Sequence, residues 1–513
     1  METAATALPA RAALDRARRA RDPRFDGRFF VAVTSTGIYC RPVCPAPSPR
    51  AAHVRYYPTA AAAADAGFRP CLRCRPETAP GTPAWLGTSA VVRRALALIE
   101  KGALDGGSVD ELAARLGIGP RHLHRLFVSH LGAPPLVVAQ TRRLQFAKRL
   151  IDETSLSMTD IAFASGFGSL RRFNAAFRST YDRPPLALRR LRGETSGPRE
   201  RAIVLRLPLR PPYDLERLLA FLAARALPGV EQVEGDSYAR TLALESGPAV
   251  VRVRREDPRA GGRRAPCALL LSVEGAPASA LFPLTADARR VFDLGADPWL
   301  IETAFRDDPL LGPLVRLYPG LRVCGAWDPF ECAVRAVLGQ QVSVAAARTM
   351  AARLVERAGA RLPVPRSGLT HLFPSAAALA ACDLDGLGLT KARSAAIRAL
   401  AWAVAEGRLD LRAEPEAVVE RLRALPGFGE WTAQYVALRA LGEADAFPSS
   451  DLVLRRAAAG GAVPLTPSEL AARAEAWRPW RAYAVFHLWN AAATAPRPGA
   501  RGRRREPETC VTT

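Results

Sequence analysis

A chain of 513 residues is too long for one hydrophobic core and divides into three or four units. With 49% hydrophobic residues it is globular in bulk, yet no run reaches the roughly 18 apolar residues of a membrane span. The net charge of +23 favours a polyanion, chiefly nucleic acid, although Arg overuse in an Ala-rich chain is the plainer alternative.

The first twenty residues mix Ala and Arg with acidic residues and lack the apolar stretch of a signal peptide, so a cytoplasmic chain is expected, with no membrane partner. Nine cysteines at this length do not make a secreted disulfide scaffold, and four of them cluster. Cys40, Cys44, Cys71 and Cys74 are spaced C-x3-C-x26-C-x2-C, two short-spaced pairs that would supply the four thiolates of a tetrahedral zinc site. Such a site on its own is as well explained by structure as by chemistry. The other five (Cys267, Cys324, Cys332, Cys382 and Cys510) are scattered and read as small buried residues or a tail thiol.

Residues 78–87 (TAPGTPAWLG) read as a Pro/Gly linker and 192–199 (RGETSGPR) as a second break. Between them the pattern is helical. Ser108 and Glu111 have the spacing of a capping box before an apolar stripe, Gly117 turns the chain into PRHLHRLFVSH, and SMTDIAFA, Gly166 and SLRRFNAAFRST repeat the arrangement. Ile203–Leu209, Val250–Val253 and Leu269–Val273 read as strands around a helix at Leu215–Ala226, and helices dominate from Pro298. The end, RPGARGRRR, reads as a disordered basic tail.

The segments FFVAVTSTGIYCRPVC (29–44) and GFRPCLRCRP (67–76) resemble the N-terminal domain of the Ada response protein, over most of residues 25–76. The resemblance implies that Cys40 accepts a methyl group from a methylated DNA phosphate, with Cys44, Cys71 and Cys74 as lasting ligands. Zinc-bound thiolates are nucleophilic at neutral pH without a nearby base. Methylation would cut the negative charge facing the backbone, so repair would double as a signal. Arg41, Arg69, Arg73 and Arg75 beside the ligands are candidate phosphate contacts.

The two helix-turn-helix units, ending in YDRPP, resemble an AraC-type DNA-binding domain over residues 89–191. Recognition helices present polar side chains to base edges and phosphates. The candidates are Arg121, His122 and Arg125 in the first, and Ser169, Arg171, Arg172 and Asn174 in the second, with Leu123, Leu126, Phe173 and Phe177 as core. His122, His124 and His130 lack acidic or cysteine partners and are not a metal site.

From Leu205 to Trp489 the chain resembles AlkA-type 3-methyladenine DNA glycosylase, on PPYD, SYARTL, FECAVRAVLGQQVSVA, LPGFGEWTAQYVAL and WRPWRAYAVFHLW. LPGFG has the form of a helix-hairpin-helix turn, where Gly427 and Gly429 would let the backbone approach a phosphate. In this family the hairpin carbonyls can also hold a monovalent cation. Asp451 stands at the family's catalytic position; N-alkylated purines leave readily, so one carboxylate suffices to stabilise an oxocarbenium-like sugar and steer water. The competing role for Asp451 is a helix cap. Phe221, Trp431, Tyr435 and Trp489 match pocket aromatics whose faces would take a flipped cationic base. Two positions depart from the family: the wedge is Gln341 instead of Leu, and Leu452 replaces Tyr after the Asp.

Glycosylases that also cut the strand use a lysine amine as nucleophile. In helix-hairpin-helix relatives it lies just after the hairpin, where this chain has Trp431, and only Lys101, Lys148 and Lys391 are lysines. A monofunctional enzyme is expected. No Pro-Cys-His-Arg motif of a guanine methyltransferase is present: Cys267 follows Pro266 but precedes Ala268.

The expected architecture is therefore multidomain, mainly α with α+β parts. A small α/β domain binding one Zn2+ (1–78) precedes an AraC-type double helix-turn-helix (88–192). An AlkA-like α/β domain (200–297), a helix-hairpin-helix glycosylase domain (298–496) and a basic tail (497–513) follow. The expected function is alkylation repair joined to transcriptional activation, on double-stranded DNA in the nucleoid, with RNA polymerase as the activator's partner and no organic cofactor. The competing readings are a regulator whose C-terminal half only binds DNA, and a glycosylase whose zinc is structural.

Overall fold

The computed structural model describes residues 8–80, 90–100, 102–190, 202–257, 267–366, 368–460 and 463–494. Of the expected linker 78–87 the part from residue 81 on, together with the break at 192–199 and the basic tail, lies outside the described residues.

The N-terminal module is a four-stranded sheet in the order Val54–Tyr57, Phe30–Val33, Ile38–Cys40, Arg69–Pro70, with only the last pair parallel. Alternation along the central strand sends Val31 to one face and Phe30 and Ala32 to the other. Each face takes a helix: Leu14 and Ala17 of Arg11–Ala20 pack on Phe29, Val31 and Val54, and Ala60 and Ala63 of Ala60–Asp65 pack on Phe30, Ala32 and Tyr39.

Seven helices follow, from Ala90–Glu100 to Pro185–Arg190. The capping box at Ser108 and Glu111 forms both of its bonds, and Ser157 and Ser169 cap the two helices of the second unit. Each cap stabilises its helix by about 1 kcal/mol and fixes where the turn ends. The two units differ in what they pack on. The first has a core of its own, built on Val92, Leu112, Leu123, Phe127 and Val138. The second shares one continuous core with the following five-stranded sheet, and Phe146 of the connecting helix Pro135–Glu153 meets Phe282 at 4.6 Å.

That sheet is antiparallel throughout, in the order Ala202–Pro208, Ala268–Glu274, Gly247–Arg255, Ser237–Leu244, Glu231–Glu234, with the helix Leu215–Ala223 beside it. The remainder is helical apart from a two-stranded ribbon, Arg361–Arg366 with Leu369–His371, which the sequence pattern did not announce. Two cores organise this half. One joins the sheet to helices between Leu281 and Leu317 and between Leu452 and Thr494; the other holds the helices from Pro329 to Val436. The division cuts across a boundary at residue 298, since helices on both sides of it share one core with the sheet.

The modules meet through ion pairs as well as this core. Arg75 lies 2.8 Å from Asp152, which Lys148 also holds at 2.6 Å; Arg28 reaches Asp297 at 3.2 Å, and Arg93 reaches Glu443 at 2.9 Å. No described helix is long and apolar enough to cross a membrane.

Candidate functional sites: a four-cysteine centre, exposed recognition helices and an aromatic slot

Cys40 ends a strand and Cys44 lies in the turn after it, where its amide reaches the Arg41 carbonyl. Cys71 and Cys74 follow the strand Arg69–Pro70, whose parallel pairing beside Ile38–Cys40 brings the two loops together; the Cys71 amide donates to the Tyr39 carbonyl at 3.0 Å. The four sulfurs lie within 4.8 Å of one another and none is in a disulfide. A tetrahedron of Zn–S bonds of about 2.3 Å needs sulfurs roughly 3.8 Å apart, so four soft thiolates at this spacing fit one Zn2+. Hydrogen bonds among the sulfurs push the Cys40 and Cys74 thiols up and the Cys44 and Cys71 thiols down: crowded thiols cannot all ionise without a cation between them. Cys74 is buried and its sulfur takes the Arg41 amide at 3.4 Å, whereas Cys40, Cys44 and Cys71 reach the surface. Amides of Ala46 and Cys74 also act on Cys44 and Cys71, but for each of these thiols, as for Cys40, the largest influences are the other three sulfurs.

The arginines beside the ligands divide. Arg41, expected at a phosphate, is only 4% exposed; it is paired with Asp26 and donates to the Cys74 carbonyl and Thr78 Oγ1. Its charge is spent inside the module, stitching the ligand loops together. Arg75 is tied to Glu77 and Asp152 and anchors the centre to the connecting helix. Arg69 forms an exposed pair with Asp182, weak in water, and Arg73 is exposed.

In the first recognition helix, Pro120–Leu131, Arg121, His122 and Arg125 are exposed, and Arg125 Nη2 lies 2.9 Å from His122 Nδ1. In the second, Leu170–Tyr181, Arg171 and Arg172 are exposed and Asn174 half-buried. Ser169 is the N-cap, its hydroxyl oxygen taken by the Arg172 amide at 3.2 Å, which leaves only its O–H for a contact outside. Leu123, Phe127, Phe173 and Phe177 are fully buried and hold the two exposed faces in place.

The third site lies in the seam between the two cores of the C-terminal half. Asp451 comes from one side, at the start of the helix Leu452–Ala459, and Trp431 and Tyr435 from the other, on the helix Glu430–Val436. Asp451 is 8% exposed and is a helix cap, the competing role, while its second oxygen faces the aromatic side chains. Its Oδ1 caps the helix by accepting the Leu454 amide at 2.9 Å, and its Oδ2 accepts the Trp431 indole N–H at 2.8 Å. The Trp489 indole N–H also points at Oδ1, at 3.4 Å. Capping fixes the carboxylate and the indoles aim it.

The aromatic wall is continuous. Trp431 stacks on Tyr435 (5.2 Å, 22°), Tyr435 lies 6.1 Å from Trp489, and Phe486 bridges Trp489 to Phe221 at 5.4 and 5.2 Å. The sequence pattern missed two members. Phe486 is one. The other is Arg439, buried on a π-helical turn, Ala437–Leu441, four residues after Tyr435 and on its face of the helix. It donates to Tyr435 Oη at 2.8 Å and to the Cys324 and Gly325 carbonyls, and lies 4.7 Å above the Phe221 ring.

At the hairpin, Gly427 has φ +79° and a Cβ there would come within 2.7 Å of the Ala396 Cβ, so only glycine fits. Gly429, in ordinary extended conformation, precedes the helix Glu430–Val436 with open space around it. The carbonyls of Leu425 and Gly427 are engaged by the Phe428 amide and the Gln340 side-chain amide. Gln341, the expected wedge, is exposed with φ +55°, and Leu452 is 45% exposed beside Asp451.

Comparison with known proteins agrees with this order of modules. Family models match at residues 13–77 (metal binding domain of Ada), 112–191 (helix-turn-helix domain) and 204–328 (AlkA N-terminal domain). The chain is a modular protein that joins an Ada-type metal-binding unit, a helix-turn-helix unit and an AlkA-type unit, mainly helical with small sheets. It is 44% identical over 480 residues to the probable bifunctional transcriptional activator/DNA repair enzyme AlkA of Mycobacterium tuberculosis, covering 93% of this chain and 95% of that one. The chain belongs to that family of bifunctional activator/repair proteins. Its C-terminal half is 37% identical over 284 residues to DNA-3-methyladenine glycosylase 2 of Escherichia coli (54% of this chain, 94% of that one). Its N-terminal part is 37% identical over 150 residues to the bifunctional transcriptional activator/DNA repair enzyme Ada of the same organism (29% and 40%).

Proposed function

We propose that the C-terminal half is a monofunctional DNA glycosylase that releases N-alkylated purines such as 3-methyladenine, and that Cys40 takes a methyl group, once, from a methylphosphotriester of double-stranded DNA. The observation that carries the first part is the buried, capped Asp451 carboxylate at one end of a wall of five aromatic rings. A base flipped into the slot stacks on those rings, and Asp451 lies where positive charge develops on the sugar. The N-glycosidic bond breaks with its electron pair moving to the base, water adds to C1′, and its proton passes to Asp451 or solvent. With Trp431 where a lyase has its amine, and its indole bonded to the carboxylate, the product is an abasic site. Borohydride reduction on damaged DNA should trap no covalent adduct.

Four thiolates held by one Zn2+ stay deprotonated at neutral pH. The Cys40 sulfur attacks the methyl carbon in line; an S–C bond forms, the C–O bond breaks, and the electron pair stays on the phosphate oxygen. Cys40 is the favoured acceptor on the resemblance to the Ada domain, and it reaches the surface, whereas Cys74 is buried and its sulfur accepts the Arg41 amide. The methylated centre carries less negative charge, so the exposed helices (Arg121, His122, Arg125; Arg171, Arg172, Asn174) and Arg73 bind DNA more tightly and activate transcription, in contact with RNA polymerase. Arg41 has no part in this contact. A methylphosphotriester oligonucleotide should add about 14 mass units to the peptide that carries Cys40. Asp451→Asn should abolish base release and leave DNA binding intact; a chain that binds DNA but releases no base even as wild type would be a regulator only.

A further inference from the structure

Gln341 stands exposed in left-handed backbone, a conformation that costs a non-glycine residue about 1 kcal/mol and persists only when its surroundings enforce it. The enforcement comes from its neighbour. The Gln340 side chain points inward, and its amide nitrogen donates to the Gly427 carbonyl at 2.8 Å and to Thr432 Oγ1 at 2.9 Å. Gly427 is the left-handed glycine of the hairpin, and Thr432, 2% exposed, belongs to the helix that leaves it. The main-chain carbonyl of Gln340 accepts from the Arg393 guanidinium. Arg393 and Ala396, the residue against which Gly427 packs, share the helix Lys391–Ala405. The turn carrying Gln341, the hairpin and this helix thus close a ring of contacts with Gln340 as its link.

We propose that Gln340 is a positioning residue that couples the phosphate-binding hairpin to the Gln341 wedge. Seating the hairpin on the backbone then drives Gln341 into the stack at a fixed distance, instead of leaving wedge and hairpin to find DNA separately. The coupling rests on the glycosylase reading. Flipping a paired base costs a few kcal/mol and a mismatched one less, so a residue that delivers the wedge should matter most where the pair is strongest. A residue that merely supports the fold would matter equally on both.

The test compares single-turnover base release by the full chain on two duplexes, one with an N-methylated purine opposite its normal partner and one with the same lesion mismatched. Gln340→Leu removes the donor. Gln340→Glu keeps the shape but turns an acceptor toward the Gly427 carbonyl, and guards against a folding failure in the first variant. Each should slow release from the paired duplex by about tenfold to a hundredfold, with the loss shrinking to within about threefold on the mismatched one. Gln341→Ala should show the same pattern. Wild-type rates on both duplexes, or an equal loss on both, would overturn the coupling. A wild-type chain that releases no base from either duplex would overturn the glycosylase reading itself, and so is told apart from a failure of the coupling.

Discussion

The four-cysteine centre and the aromatic slot are assembled in opposite ways. The sulfurs come from two adjacent loops, residues 40 to 74, brought together by one parallel strand pair. The slot draws on Phe221, Trp431, Asp451 and Trp489, which lie far apart in the chain and meet only where two cores abut. A metal site can be built locally because the ion supplies the cohesion. A slot for a flipped base needs walls fixed independently of one another, and a seam between cores supplies them. The first site should therefore fail one ligand at a time, and the second should also fail when its supports shift.

The sharpest break in this contrast is a pair of variants that separate the sites. Asp451→Asn should lower base release by at least about a thousandfold with methyl uptake unchanged, and Cys40→Ser the reverse. Abasic-site cleavage and peptide mass read the two outcomes.

Next comes the core that backs the slot. Burial pushes the Asp293 carboxyl up to about 7, against the opposing pull of Arg322 and of Tyr483, whose hydroxyl donates to it at 2.9 Å. Because the folded-state value is raised, the stabilisation is complete below about pH 4 and is lost as pH rises through about 7, roughly 4 kcal/mol in all. Asp293→Asn, whose amide oxygen can still accept from Tyr483 and Val323, should flatten that slope in denaturant titrations at pH 5 and pH 8. A slope unchanged by the substitution would place the titrating group elsewhere.

Phe146→Ala, at the contact with Phe282, should cost about 3 kcal/mol and begin to separate the unfolding of the second helix-turn-helix unit from that of the sheet it shares a core with. The corresponding change in the first unit, Phe127→Ala, should loosen that unit alone. The smallest effect is expected of Trp431→Phe, which keeps the ring but removes the 2.8 Å bond to Asp451: base release should fall about tenfold with little change in duplex affinity.

The same contrast explains what could be read from the chain. Cys40, Cys44, Cys71 and Cys74 were legible because metal geometry demands short spacings. The capping box at Ser108 and Glu111 was legible because a cap is a local bond, whereas Ser169, read as a DNA contact, is also a cap. Arg41 was misread as a phosphate contact because its partner, Asp26, arrives from another loop and only the fold buries the pair. Arg439 escaped notice although it lies four residues after Tyr435 on the same helix face, because a lone arginine among many in an Arg-rich chain reads as solvated until its carbonyl and ring partners are known. The boundary at 298 was drawn where the helical pattern resumes, and it separates helices that share one core with the sheet. For Asp451 the cap is what the structure shows, and the same carboxylate also accepts the Trp431 indole N–H.

The central claim is that one chain carries two independent chemistries, and a single incubation tests it most directly. The Asp451→Asn chain, loaded with zinc, is mixed with a duplex carrying both a methylphosphotriester and a 3-methyladenine, and abasic sites and the mass of the Cys40 peptide are read from the same sample. The account predicts no abasic sites and a gain of about 14 mass units on that peptide. Base release at the wild-type rate, or methyl on a different cysteine, would contradict it.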